Sequence, residues 1–274
     1  MIIGVSGKIQ SGKDTIAKII NAYGVISYAI ESKLISKNPS KEDEYRFVRE
    51  HILNPYIFPG SRWRIMRFAA VLKQLVAVLT FCNVEELENE EFKNTPLPEN
   101  WNKYRLLDFH KVLPTTFATH KEAEEFCRKN SNSQHVYTYK EEVMTRRKLL
   151  QLLGTEFGRD MIHPNIWVNT LFAQYDPLNH NWVVPDTRFL NEAQAIIENR
   201  GFIIRVERKA SPIFNHPSET ELDYFSKFKY TIDNNGSIDD LITDVKHILY
   251  QEGYLPGGLL VNIDWLPQVP ISNS

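Results

Sequence analysis

The sequence predicts an α/β protein: a mostly parallel five-stranded sheet with helices on both faces, plus a helical, lid-like insertion. Three observations carry this expectation. The short β-branched run Ile2-Ile3-Gly4-Val5 turns through Gly7 to Gly12 into an amphipathic stretch. Further apolar runs of strand length then alternate with helical patterns, the signature of βαβ units. The strand at Trp182-Val183-Val184 is apolar throughout, as in a parallel sheet covered on both faces.

The elements follow in order. Ile2–Val5 reads as a buried strand, and Asp14 to about Ala22 as a helix with Ile16, Ile19 and Ile20 on one face and Gly24 near its end. Residues 36–62 are polar and broken by Pro39, Pro55, Pro59 and Gly60, which predicts an irregular insertion. Trp63 to Phe68 reads as a strand, and Ala69 to Thr80 as a helix carrying Val71, Leu72, Leu75, Val76 and Leu79. Residues 85–143 are charged and polar with scattered aromatics, and read as a peripheral lid or substrate subdomain. Met144 to Phe157 is expected to be helical. Strands at Trp182–Val184, Phe202–Val206 and Phe228–Ile232 follow, with a helix from Leu190 to Arg200 stopped by Gly201. A turn at Asn234-Asn235-Gly236 opens a helix running to about Tyr250, with Ser237 available as its cap. Residues 1–250 thus read as one domain, and 251–274, with Pro256, Gly257, Gly258, Pro267 and Pro270, as an extended tail.

At 274 residues and 42% hydrophobic side chains the chain is long and apolar enough for a substantial core. Lys+Arg at 32 nearly balances Asp+Glu at 34, which argues against a protein that coats nucleic acid by charge. Cys82 and Cys127 lack zinc-ligand spacing, and so few thiols suit a reducing compartment. The apolar run at the start, about five residues, is short for a signal peptide, and no run approaches the roughly 20 apolar residues of a membrane span. A soluble cytoplasmic protein is expected, acting on small molecules; a homodimer is left open.

Gly7-Lys8-Ile9-Gln10-Ser11-Gly12-Lys13 matches G-x-x-x-x-G-K. Its glycines let successive backbone N–H groups converge on phosphate oxygens, the following helix adds its positive N-terminal end, and Lys13 reaches the β- and γ-phosphates. The pattern alone is loose; its place between an apolar strand and an amphipathic helix makes it specific. After Lys13 comes Asp14 and then Thr15, not the usual Ser or Thr. Asp14 could meet a metal directly, meet it through water, or orient an acceptor phosphate.

Several segments, in order, resemble the bacteriophage deoxynucleoside monophosphate kinase family. They are SGKIQSGKDT, RFAAVLKQLV, MTRRKLLQLLGTEFGRDMIHPNIWVN, VVPDTRFLNEAQAI, HPSETELD and TIDNNGSIDDL. Arg146 stands where the family usually has Pro. The resemblance implies a three-layer P-loop kinase fold. It also implies transfer of the ATP γ-phosphoryl group, with Mg²⁺, to a deoxynucleoside 5′-monophosphate. Gly7, Lys8, Gln10, Ser11, Gly12, Lys13, Asp14 and Thr15 would hold ATP phosphates, with Asn234 and Gly236 against the adenine. Lys8, Asp14, Arg67, Phe68, Arg147, Gln151, Trp167 and Asp186 would frame the acceptor.

The same residues also have direct physical readings. Arg147, Gln151 and Thr155 share one helix face at i, i+4, i+8, offering a guanidinium fork and a carboxamide. Phe68 and Trp167 either stack on a base or belong to the core. Asp186 ends a buried strand at the sheet edge where α/β proteins bind ligands, placed either for Mg²⁺ or to cap the helix near Leu190. Arg188 and Arg159 either neutralise transferring phosphates or form surface ion pairs, Glu192 is expected to pair with an Arg, and a lone His216 reads as structural. Asp14, Thr15 and Asp186 are the candidate metal ligands. Two rivals remain: another small-molecule kinase of the dephospho-coenzyme A or phosphomevalonate type, and an NTP-hydrolysing switch, against which no N-K-x-D motif is found.

Overall fold

The computed structural model describes residues 1–35, 40–54, 61, 63–178, 180–209 and 220–255. In chain order the elements are β1 (Ile2–Gly7), α1 (Lys13–Glu31), α2 (Lys41–Leu53), β2 (Trp63–Ile65), α3 (Ala70–Thr80), α4 (Glu90–Asn94), β3 (Lys103–Asp108) and β4 (Lys111–Phe117). There follow α5 (His120–Asn130), β5 (Tyr137–Glu142), α6 (Arg146–Gln151), a π-helical stretch Leu152–Ile162, α7 (Ile166–Phe172), β6 (Asn181–Val184), α8 (Leu190–Glu198), β7 (Phe202–Glu207), β8 (Tyr230–Asp233) and α9 (Ile238–Gln251). The chain divides into two compact units, Met1–Phe68 with Trp167–Ser274, and Ala69–Ile166. The second unit is thus wider than the 85–143 segment expected to stand apart.

Unit one contains, among the described residues, a five-stranded sheet in the order β2-β6-β1-β7-β8. Every pairing in it is parallel, as expected of alternating strands and helices. Alternation along β1 sends Ile3 and Val5 into one core with Ile16, Ile20 and Tyr23 of α1 and Val245 and Ile248 of α9. Gly4 points the other way, where an added Cβ would lie 2.7 Å from Ile196 of α8 and 3.3 Å from Ile203 of β7. Helices therefore cover both faces. Completely buried Ile and Val side chains, each worth roughly 1.5–3 kcal/mol of transfer free energy, hold β1 rigid.

Two expectations fail here for identifiable reasons. The first helix does not end near Gly24; α1 runs on to Glu31. Gly24 is a packing glycine: a Cβ there would lie 2.8 Å from Ser61 Oγ and 2.8 Å from Trp63 Cδ1. The segment 36–62 is not wholly irregular, because α2 occupies Lys41–Leu53. Ser40 caps it by accepting the Asp43 N–H at 3.1 Å. The helix buries Tyr45 and Val48, while Glu44 receives the Tyr23 hydroxyl at 2.6 Å and Lys246 at 2.9 Å. Residues 36–39, 55–60 and 62, His216, and 256–274 of the tail lie outside the described residues.

Unit two carries an antiparallel sheet ordered β4-β3-β5, with α5 packed on it. The predicted helix over 144–157 proves to be two structures. Thr145 accepts the Lys148 N–H at 3.1 Å and opens α6; Arg146, departing from the family's Pro, lays its guanidinium 4.1 Å over the Phe92 ring. From Leu152 to Ile162 the backbone is π-helical. Arg147 and Gln151 lie on α6, and Thr155 follows within the π-helical stretch.

Candidate active site

Residues 8–12 form the loop between β1 and α1, at the C-terminal edge of the central strand. The Ser11 N–H donates to the Lys8 carbonyl at 3.1 Å, and Gly12 opens α1 with φ of 105°, its carbonyl accepting the Ile16 N–H at 3.0 Å. That left-handed φ suits glycine, and the packing demands it as well. A Cβ on Gly12 would lie 2.3 Å from Asn234 Nδ2, which donates to the Ser11 carbonyl at 2.7 Å. The Ser11 hydroxyl is buried and has no hydrogen-bond partner among the described residues. Lys13, 7% exposed, donates its ammonium to the carbonyls of Gly7 and Lys8 at 2.7 and 2.6 Å. Asp14 is exposed and Thr15 half-buried on the first turn of α1.

On the β2–β6 side of the loop, Arg67 forms an ion pair with Asp14, and the Phe68 N–H donates to Asp186 Oδ1 at 3.1 Å. Asp186 thus ties the end of β6 to the segment after β2. At the start of α8, whose N-cap residue is Phe189, Glu192 reaches back to accept the N–H groups of Arg188 at 2.8 Å and Phe189 at 3.1 Å. This backbone role was not foreseen for Glu192 in the sequence. Phe68 and Trp167 are 4% and 5% exposed, and the Phe68 ring lies 6.5 Å from that of Phe172, so both rings are core side chains. Arg188 is half-buried in the turn between β6 and α8.

On the β7–β8 side, Arg208 donates to the Gln10 carbonyl at 3.5 Å, and Gln10 itself has φ of 60°. The turn after β8 is held by Asn235, whose side-chain oxygen accepts the Lys209 N–H at 3.0 Å, and by Ser237, which accepts the Asp240 N–H at 3.2 Å and caps α9. Gly236 packs against Asp240 within that turn. Lys8 leaves the loop toward Asp223, a residue the sequence reading did not single out although it closes the quoted HPSETELD segment.

Unit one therefore brings together Lys8, Lys13, Asp14, Arg67, Phe68, Asp186 and Asn234 around one loop. Arg147, Gln151 and Arg159 belong to unit two. There Arg147 pairs with Glu90 and donates to Asn94 Oδ1 at 2.7 Å. Burial opposes ionisation of Glu90, but Lys93 and Arg147 outweigh it and lower its pKa. Gln151 is exposed, and Arg159 donates to the Pro164 carbonyl at 3.4 Å. No cluster of three or more His, Cys, Asp or Glu side chains suited to a metal occurs among the described residues.

The family model for deoxynucleotide monophosphate kinase matches residues 97–245. The chain is similar to the deoxynucleoside-5′-monophosphate kinase of Escherichia phage T5, with 24% identity over 246 residues, covering 80% of this chain and 84% of that protein. It is also similar, at 32% identity over 114 residues, to a protein of Acanthamoeba polyphaga mimivirus provisionally named a deoxynucleotide monophosphate kinase; that match covers 37% of this chain and 59% of the other. With the family model spanning more than half of it, this chain belongs to the deoxynucleotide monophosphate kinase family and is a phosphotransferase.

Proposed function

We propose that the protein transfers the γ-phosphoryl group of ATP to the 5′-phosphate of a deoxynucleoside monophosphate, yielding the diphosphate and ADP. Phosphorylation of deoxynucleoside monophosphates is the activity of the family; the donor, the metal and the residue roles are our reading. The observation that carries it is the buried Lys13 ammonium, held by loop carbonyls at the N-terminus of α1, one residue before the Asp14 that pairs with Arg67.

The acceptor phosphate loses its second proton near pH 6, so it is already an anion at neutral pH and no strong base is required. What remains is alignment of two anions and neutralisation of charge in a loose transition state. In this reading the amides of the loop and Lys13 hold the donor, with Lys13 exchanging main-chain carbonyls for phosphate oxygens. Gln10, Ser11, Gly12 and Thr15 contribute through the loop and first helical turn, and Asn234 and Gly236 lie against the adenine. Arg67 meets the acceptor phosphate, with Phe68 and Trp167 as the packed wall behind it. Arg147 and Gln151 are assigned to nucleotide recognition, and Arg159 and Arg188 to phosphate charge, on the resemblance alone.

Asp14, Thr15 and Asp186 offer only hard oxygen donors, which fits Mg²⁺ and few softer metals. When bound, a metal held by these oxygens would offset the charge of the phosphates. The test is a panel of deoxynucleoside and ribonucleoside monophosphates offered with Mg-ATP, read as acceptor-dependent ADP release. Release of ADP at the same rate without any acceptor would instead support an NTP-hydrolysing switch.

No helix among the described residues is long and apolar enough to cross a membrane. We infer a cytoplasmic site of action, in keeping with the small nucleotide substrates.

A further inference from the structure

The Lys8 side chain is held by a carboxylate far away in sequence. Its ammonium lies 2.6 Å from both Oδ1 and Oδ2 of Asp223, across 215 positions. Arg205 of β7 donates to Oδ1 of the same carboxylate at 3.3 Å, and its guanidinium lies 5.4 Å over the Phe228 ring. Burial raises the pKa of Asp223, but Lys8 and Arg205 outweigh it and hold the carboxyl below its ordinary range. The group is therefore an anion at neutral pH.

The Lys8 and Asp223 side chains keep 30% and 33% exposure, and a pair so exposed adds little to folding stability. Its effect is geometric: it restrains a flexible four-carbon stem that otherwise samples many rotamers. The restraint is directional too. Arg205 lies on β7, on the other side of β1 from the β2–β6 edge where Arg67, Phe68 and Asp186 gather.

We propose that Asp223 is a positioning residue which, braced by Arg205, fixes the Lys8 ammonium on the donor side of the phosphate loop, where Lys8 meets the nucleoside triphosphate. The inference rests on the ATP reading given above. It makes Lys8 a ligand of the donor and assigns Asp223 and Arg205 a joint part in setting its place. Asp223 acts through Lys8 and touches no substrate itself.

The experiment is steady-state kinetics on the full-length protein, varying ATP at saturating acceptor and then the reverse, with the acceptor that the panel ranks first. Asp223→Asn is expected to raise KM for ATP about fivefold to tenfold, the scale of one misaligned charged hydrogen bond. KM for the acceptor and the melting temperature should stay essentially unchanged. In a Lys8→Met background the same substitution should add less than about twofold, because the group being positioned is gone. Asp223→Glu, which keeps the charge, should recover most of the loss. A KM for ATP that is unchanged or lowered in Asp223→Asn, an equal effect with and without Lys8, or failure of Asp223→Glu to recover overturns the proposal. An effect of Lys8→Met with none from Asp223→Asn sinks this inference alone. Absence of ATP-dependent phosphorylation in the unaltered protein sinks the ATP reading beneath it.

Discussion

Asn234 holds the phosphate loop by its main chain: its side-chain amide donates to the Ser11 carbonyl at 2.7 Å, and the neighbouring Gly12 leaves no room for a Cβ. The turn after β8 and the loop after β1 are thereby one mechanical unit. Gly12→Ala would meet both an unfavourable left-handed φ and a 2.3 Å contact with Asn234 Nδ2. We expect turnover to fall at least about a hundredfold, on the scale of displaced catalytic geometry. Asn234→Ala, which removes only the tether, should destabilise by about 1 kcal/mol and raise KM for ATP. Thermal melting together with KM measurement checks both.

Lys13 is the residue whose loss should separate chemistry from folding most cleanly. Its ammonium contacts two carbonyls of the loop itself, at 2.7 and 2.6 Å, so Lys13→Met leaves those oxygens without one donor each. That costs folding roughly 1–3 kcal/mol. Charge neutralisation in the transition state is worth far more, and kcat should drop by about two to three orders of magnitude. Near-normal turnover in a folded Lys13→Met protein would refute the assignment.

Glu142 ties unit two together electrostatically. Hydrogen bonding from Arg105 is the leading cause that holds its pKa at about 2; partial burial opposes the shift and Lys148 adds to it. A carboxyl depressed in the folded state stabilises above its unfolded pKa, near 4.5, and loses that contribution as pH falls toward 2. Glu142→Gln should therefore cost about 1 kcal/mol at pH 7, a solvent-screened value, and the gap to the unaltered protein should close between pH 4.5 and 2. Urea titrations across that range measure it.

Gly24 shows where reading a sequence and seeing a structure part company. A glycine ten residues into a helical pattern reads as a stop because helices commonly end there. In the fold it is an interior glycine whose missing side chain admits Ser61 and Trp63. Gly24→Ala gains about 1 kcal/mol of helix propensity but forces contacts of 2.8 Å, and overpacking of that kind costs about 1–3 kcal/mol. Net destabilisation is expected, measurable as a lower melting temperature.

The strands of the five-stranded sheet were legible because buried parallel strands announce themselves as unbroken apolar runs, as at Ile2–Val5 and Trp182–Val184; β3, β4 and β5, rich in charged and polar residues, carry no such run, and the insertion expected to be helical contains their antiparallel sheet. The loop was legible because phosphate cradling needs glycine at fixed spacing. Helix α2 was missed because its mostly charged face hides the spacing of Tyr45, Val48 and Ile52, while flanking prolines mark breaks and not what lies between them. The π-helical stretch has no signal in periodicity, since its apolar residues suit an α-helix equally well. Asp223 could be found only by geometry: nothing in a lone carboxylate says that Lys8, 215 positions earlier, lies against it.

The ion pair of Arg67 with Asp14 bears on what the unusual residue after Lys13 does. The two side chains are 30% and 64% exposed, so the pair should contribute at most about 1 kcal/mol to stability. If its work is instead to aim the guanidinium at an acceptor phosphate, the loss belongs in binding. Asp14→Asn should then raise KM for the acceptor about tenfold with the melting temperature nearly unchanged. In an Arg67→Met background the same change should add little. A direct metal ligand would behave otherwise: Asp14→Asn would raise the Mg²⁺ concentration needed for half-maximal rate, and would do so whether or not Arg67 is present. The magnesium dependence of the two variants and of the double variant separates these roles, because only one of them passes through Arg67.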